Sequence, residues 1–173
     1  RQLSIPMLYV THAAPEVAML ADHVVVMHEG RVVSSDSLAA SLSNESSPLK
    51  LNGEISTVLT GQVTEIDKHW HLACLSIYDQ KLWLPDAKLS IGDEVRVQIL
   101  SKDIGLANSA GDASFQNVLK AEIVAINEGE HPSQAIVKAA AGEHAFMVMV
   151  TKRALANLAL DVGSQVLLQV KSV

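Results

Sequence analysis

The feature that most constrains the fold is a repeat of short alternating strands. Val95, Val97 and Ile99 alternate with Arg96 and Gln98, the period of a half-buried strand. They follow Leu89-Ser90-Ile91-Gly92-Asp93-Glu94, and the same run through a glycine turn into a strand recurs at Leu160-Asp161-Val162-Gly163-Ser164-Gln165-Val166. Upstream, Leu59-Thr60-Gly61-Gln62-Val63-Thr64-Glu65-Ile66 parallels Val118-Leu119-Lys120-Ala121-Glu122-Ile123-Val124-Ala125-Ile126. Other short apolar runs at 72–77, 82–84, 135–137 and 146–150 complete the strand candidates. The chain is therefore expected to be mainly β, with two OB-like five-stranded units in tandem at 54–112 and 113–173. The second copy carries an insertion from Thr151 to Leu158 whose pattern predicts a short helix.

Composition narrows the functional classes. Apolar residues make up 49% of the 173 residues but aromatics only 3%, so the core must be built from Val, Leu, Ile and Ala. A net charge of -6 without a basic patch argues against nucleic-acid binding, which relies on Lys and Arg displacing counterions from phosphate. The apolar runs are a few residues long, against about 20 needed to cross a bilayer, so a membrane role would be peripheral. Cys74 is the only cysteine, which excludes an internal disulfide and a Cys-based zinc site.

Before the repeat the pattern changes. Met7-Leu8-Tyr9-Val10 ends in Thr11-His12, a predicted strand that delivers a histidine at its carboxyl end. An amphipathic stretch from Glu16 to Asp22 and a second apolar run, Val24-Val25-Val26-Met27, lead into His28-Glu29-Gly30-Arg31-Val32, giving strand, helix, strand, turn, strand. Leu38, Ala39, Ala40 and Leu42 predict a two-turn helix capped by Ser35 or Asp36, and 45–53 reads as a linker. The order at 1–44 resembles the C-terminal end of the ATP-binding subunit of ABC transporters. That resemblance implies an α/β remnant of the nucleotide-binding domain, with His12 as the switch histidine that contacts the terminal phosphate of magnesium-bound ATP. No glycine-rich phosphate loop occurs in the chain, and it opens on Arg1. The expectation is the back part of a longer ATPase, a part that alone hydrolyses nothing.

The second copy holds a set of anion donors. Ser114, Thr151, Lys171 and Ser172 offer hydroxyls and one ammonium, the N-H groups of Gln116 and Asn117 add to them, and no carboxylate lies among them. Such a set suits a tetrahedral dianion without a proton, held by short charge-assisted bonds. Ser114-Phe115-Gln116-Asn117-Val118-Leu119, Val150-Thr151-Lys152-Arg153-Ala154-Leu155 and Val170-Lys171-Ser172-Val173 resemble the molybdate-binding C-terminal domain of the molybdate importer's ATP-binding subunit. Leu82-Trp83-Leu84-Pro85 and Gly92-Asp93-Glu94-Val95-Arg96-Val97 extend the resemblance to the first copy. Related domains often have Arg where this chain has Gln116 and a hydroxyl where it has Ala154.

The resemblance implies a regulatory domain that senses molybdate or tungstate. Its parent subunit would dimerise at the cytoplasmic face of the membrane and drive a permease supplied by a periplasmic or extracellular molybdate-binding protein. The alternative is a purely structural dimerisation appendage of an importer for another substrate. His69-Trp70-His71 would place two histidines on one strand face, but no third ligand is evident, so no metal site is expected. Asp67, Asp86, Asp93 and Glu94 fall at probable turns, and no carboxylate pair is placed for acid/base catalysis.

Overall fold

The computed structural model describes residues 5–43, 55–111 and 114–171. The first of these segments is a small α/β unit. Helix α1 (Ala14–Leu20) leads into a hairpin of β1 (His23–His28) and β2 (Arg31–Ser37), which pair antiparallel, and α2 (Leu38–Ser43) follows. Ser37, rather than Ser35 or Asp36, caps α2, its Oγ accepting from the N-H of Ala40 at 3.2 Å. The expected strand at Met7 to Val10 is not a strand here. A strand needs a ladder partner, and among the described residues β1 and β2 pair only with each other. Leu8 and Val10 are left about nine-tenths exposed, at 92% and 90%.

The repeat is visible in the sheets. In the first unit β3 (Ser56–Asp67), β4 (Leu72–Ile77), β5 (Gln80–Pro85) and β6 (Glu94–Leu100) form a four-stranded sheet in the order β5-β4-β3-β6. A single 3-10 turn (Ser101–Asp103) leads to β7 (Ile104–Ala107). In the second unit β8 (Asn117–Glu128), β9 (Gln134–Ala141), β10 (His144–Thr151) and β11 (Gln165–Val170) repeat that order, with helix α3 (Lys152–Leu158) between β10 and β11. The expectation of two five-stranded units needs one correction. β7 leaves the first unit and pairs antiparallel with β11, making a sheet of five strands beside one of four.

Matching irregularities strengthen the repeat. β3 bulges between Val63 and Glu65, and β8 between Ile123 and Ala125. At each bulge the long strand exchanges two backbone hydrogen bonds with the glycine turn: Gly92 N to Val63 O at 2.8 Å and Val63 N to Asp93 O at 2.9 Å, then Gly163 N to Ile123 O at 2.7 Å and Ile123 N to Ser164 O at 2.9 Å. Gly92 and Gly163 sit at φ of 96° and 90°, a conformation that costs a side-chain-bearing residue energy, so the turn requires glycine.

The two units share one core. Leu59, Leu75, Leu82 and Ile99 from the first pack in the same cluster as Leu119, Ile123, Phe146 and Leu168 from the second. A smaller cluster joins Ala18 of α1 to Leu38 and Leu42 of α2, with Val58 of β3 packed against it. No helix among the described residues is long and apolar enough to cross a membrane.

Candidate functional site

The β8–β11 ladder ends at the pair Asn117 and Val170. Gln116 and Lys171 occupy the next position on each strand, and Ser114 lies two residues further out; all three are exposed. The register thus gathers a hydroxyl, an amide and an ammonium at one end of the second sheet. The backbone N-H of Lys171 donates to Asp103 O at 3.0 Å, which fixes its main chain against the turn before β7. Ser172 lies outside the described residues.

Thr151 stands elsewhere. It pairs with Gln134 at the end of β10, while neighbouring Ala135 pairs with Glu128 at the far end of β8. β8 is 12 residues long. At about 3.3 Å per residue its ends lie up to about 36 Å apart along a straight strand. Among the described residues no hydrogen bond joins Thr151 to Lys171. The Thr151 side chain caps α3, its Oγ1 accepting from the N-H of Ala154 at 3.1 Å, and this leaves the hydroxyl proton for another acceptor. Lys152 beside it is paired with Glu128 at 2.7 Å.

Asn117 has a role that its residue type alone does not reveal. Its side chain is 2% exposed, its Oδ1 accepts from Trp83 N at 2.7 Å and its Nδ2 donates to Trp83 O at 2.8 Å. The amide is therefore a bridge between the units, so any part it takes in an anion site falls to its backbone. Gln80 makes the reciprocal bridge, donating to Lys120 O at 3.0 Å and accepting from Lys120 N at 2.6 Å. Beside these bridges an open groove of about 810 Å³ is lined by residues that include Gln116, Trp83, Lys81, Lys120, Asp79 and Glu122.

His12 is exposed and directly precedes Ala13 and α1. The residues flanking it are tied to the helix: Thr11 Oγ1 donates to Glu16 Oε2 at 2.6 Å, and Tyr9 OH donates to the same oxygen at 3.1 Å. Those hydrogen bonds, Thr11 first and Tyr9 second, hold the Glu16 carboxyl below its ordinary range. The same bond and the carboxylate charge push the Tyr9 hydroxyl up. His69, Trp70 and His71 lie in the β3–β4 turn, not on a strand face, where Asp67 Oδ1 accepts from the N-H groups of His69 and Trp70 at 2.9 and 3.1 Å. Asp86 and Asp93 likewise accept from backbone N-H groups in their turns, those of Leu89 and Ser90. No group of His, Cys, Asp and Glu able to hold a metal occurs among the described residues.

The class of the second unit follows from sequence comparison: residues 113–173 match the TOBE domain family. The chain is 38% identical to the molybdenum import ATP-binding protein ModC of Methylococcus capsulatus, over 99% of this chain and 49% of that protein. It is 36% identical to ModC of Thiobacillus denitrificans, over 99% of this chain and 48% of that one. In fold it is similar to a crystal structure of the cytoplasmic molybdate-binding protein ModG with molybdate bound, with a TM-score of 0.57 and 23% identity, covering 67% of this chain and 91% of that one. The chain is similar along nearly its whole length to molybdenum import ATP-binding proteins, and it spans about half the length of the curated relatives it matches.

Proposed function

We propose that this chain is the C-terminal portion of the ATP-binding subunit of a molybdate or tungstate importer, and that its tandem β units bind the oxyanion and regulate transport. The observation that supports the reading most is the β8–β11 register, which sets Lys171 beside Gln116 with Ser114 close by. Ser114, Lys171 and Ser172 supply side-chain donors and Gln116 a backbone N-H group, while Asn117, paired with Val170, holds the strand end in place. Thr151, which stands beyond the other end of β8 in the ladder register, completes the set from a second copy. The assembly is a homodimer in which one copy offers the β8–β11 end and its partner offers Thr151. A dianion suits such a pocket because every group facing it donates.

In the parent subunit His12 lies at the transferred phosphate of magnesium-bound ATP, where its side chain positions the γ-phosphate and attacking water. The subunit sits on the cytoplasmic face of the membrane against a permease, which receives molybdate from a binding protein on the other side. Oxyanion binding to the β units shifts the transporter toward a state that does not transport. A second reading, a structural appendage that binds nothing, draws on the commitment of the Asn117 side chain to Trp83. Isothermal titration of the chain with molybdate, tungstate and sulfate separates the two. Binding of molybdate and tungstate with weaker binding of sulfate supports sensing. No heat at millimolar ligand leaves the appendage.

A further inference from the structure

We propose that Arg96 is the residue through which the β units position the switch histidine. Helix α1 has no basic residue in its own last turn to face the negative end of its dipole. Arg96, on β6 of the first unit, supplies that charge from 75 residues beyond Ala21. Its Nη1 donates to Ala21 O at 2.8 Å and lies 3.2 and 3.3 Å from Ala18 O and Met19 O. Its Nη2 donates to Asp22 Oδ1 at 3.0 Å. A guanidinium can make this fork, one nitrogen to carbonyls and the other to a carboxylate, and an ammonium cannot. The Arg96 side chain is 23% exposed, so the contact is partly withdrawn from solvent screening.

The other end of α1 is tied to His12. The helix begins at Ala14, two residues after the histidine, and the Thr11 and Tyr9 hydrogen bonds to Glu16 fasten the segment on both sides of it. With α1 only seven residues long, a displacement at its C-terminal end is carried to its start as a rigid body. Val58 of β3, paired with Gln98 of β6, packs against the cluster that holds Ala18 with Leu38 and Leu42, so the helix is seated as well as capped. From the oxyanion end the covalent and hydrogen-bonded path runs from Asn117 to Trp83 in β5, across β4 and β3 to β6, and through Arg96 into α1. The role rests on the sensing function proposed above. Arg96 is a positioning residue that makes the place of His12 depend on the state of the β units.

The test is an NMR titration of the 173-residue chain with molybdate, following backbone amides of residues 16–22 and of β8 and β11, in wild type, Arg96→Ala and Arg96→Lys. In wild type, molybdate shifts both sets of amides. In Arg96→Ala the β8 and β11 shifts remain and those of residues 16–22 are lost. In Arg96→Lys the α1 response falls to an intermediate size, and this variant decides the matter if Arg96→Ala does not fold. An α1 response of wild-type size in either variant overturns the coupling. So does a wild type in which β8 and β11 respond and α1 does not, and that result leaves the sensing function standing. Silence of all amides in wild type removes the sensing function and the coupling together.

Discussion

The two β units are built from one four-strand pattern, with bulges at Val63 and Ile123 and glycine turns at Gly92 and Gly163 in matching places, yet they use their outer edges differently. In the second unit β11 is flanked on both sides, by β8 and by the incoming β7. In the first unit β6 pairs with β3 alone among the described residues, and its Arg96 grips the α/β segment instead. The second unit is closed by its neighbour and carries the gathered donors. The first unit is the one in contact with α1. On the proposed function, this difference gives ligand capture to one copy and transmission to the other, from a common scaffold.

The junction between the copies shows the same pseudo-symmetry with unequal chemistry. At the start of β8, Asn117 makes two hydrogen bonds to the backbone of Trp83; at the start of β3, Thr57 Oγ1 makes one, accepting from Met147 N at 3.0 Å. Asn117→Ala should therefore destabilise by about 2–4 kcal/mol, since both Trp83 groups lose their partner, whereas Thr57→Val should cost about 1–2 kcal/mol. Denaturant unfolding of the two variants checks the order, and equal costs would break the comparison.

A smaller asymmetry sits one turn along the same strands. A methyl group on Gly61 would come within 2.6 Å of Ser76 O and 2.8 Å of Leu75 Cγ, while the corresponding position in the second unit already holds buried Ala121. Gly61→Ala should cost about 1–3 kcal/mol through overpacking. Ala121→Gly should cost about 0.5–1 kcal/mol through chain entropy. A cost for Ala121→Gly above that for Gly61→Ala would mean that the two strands are not packed as described.

The element unique to the second unit gives the smallest effect and the opposite sign. Helix α3 ends on Ala159 at φ 51° and ψ 47°, a left-handed conformation in which its methyl group is strained. Ala159→Gly should stabilise by about 1 kcal/mol. In a chain of this size that raises Tm by about 2–4 °C. A lowered Tm would show that the methyl group contributes packing that outweighs the strain.

How much of this was legible in the sequence depended on whether the signal was local. Period-two alternation marked β6 and β11, and the glycine turns marked the repeat, because both are set by neighbouring residues. β7 left no such mark: it is four residues, Ile-Gly-Leu-Ala, and its partner lies in the other unit. Met7 to Val10 had the composition of a strand but has no partner among the described residues to make it one. Of the proposed site residues, which the family resemblance singled out, Gln116 and Lys171 are each the next residue beyond the last β8–β11 pair. Asn117 had the right type, but its side chain is consumed by a partner 34 residues away. Arg96 occupied a polar position of an alternating strand, which reads as solvent-facing, and its carbonyl partners lie 75 to 78 residues upstream.

The proposed oxyanion site is shared between copies, one giving Lys171 and the other Thr151. Lys171→Ala removes the only full positive charge in the proposed set and should weaken molybdate binding by about 1.5–3 kcal/mol, one to two decades. Thr151→Val should weaken it too by removing a donor. The direct measurement is molybdate titration of each variant alone and of the two unfolded together and refolded as mixed dimers. A mixed dimer pairs the intact Lys171 of one copy with the intact Thr151 of the other at one site and carries both substitutions at its second site. The mixture should therefore regain a class of sites with wild-type affinity that neither variant possesses. A mixture that binds no better than the variants separately would contradict the shared site.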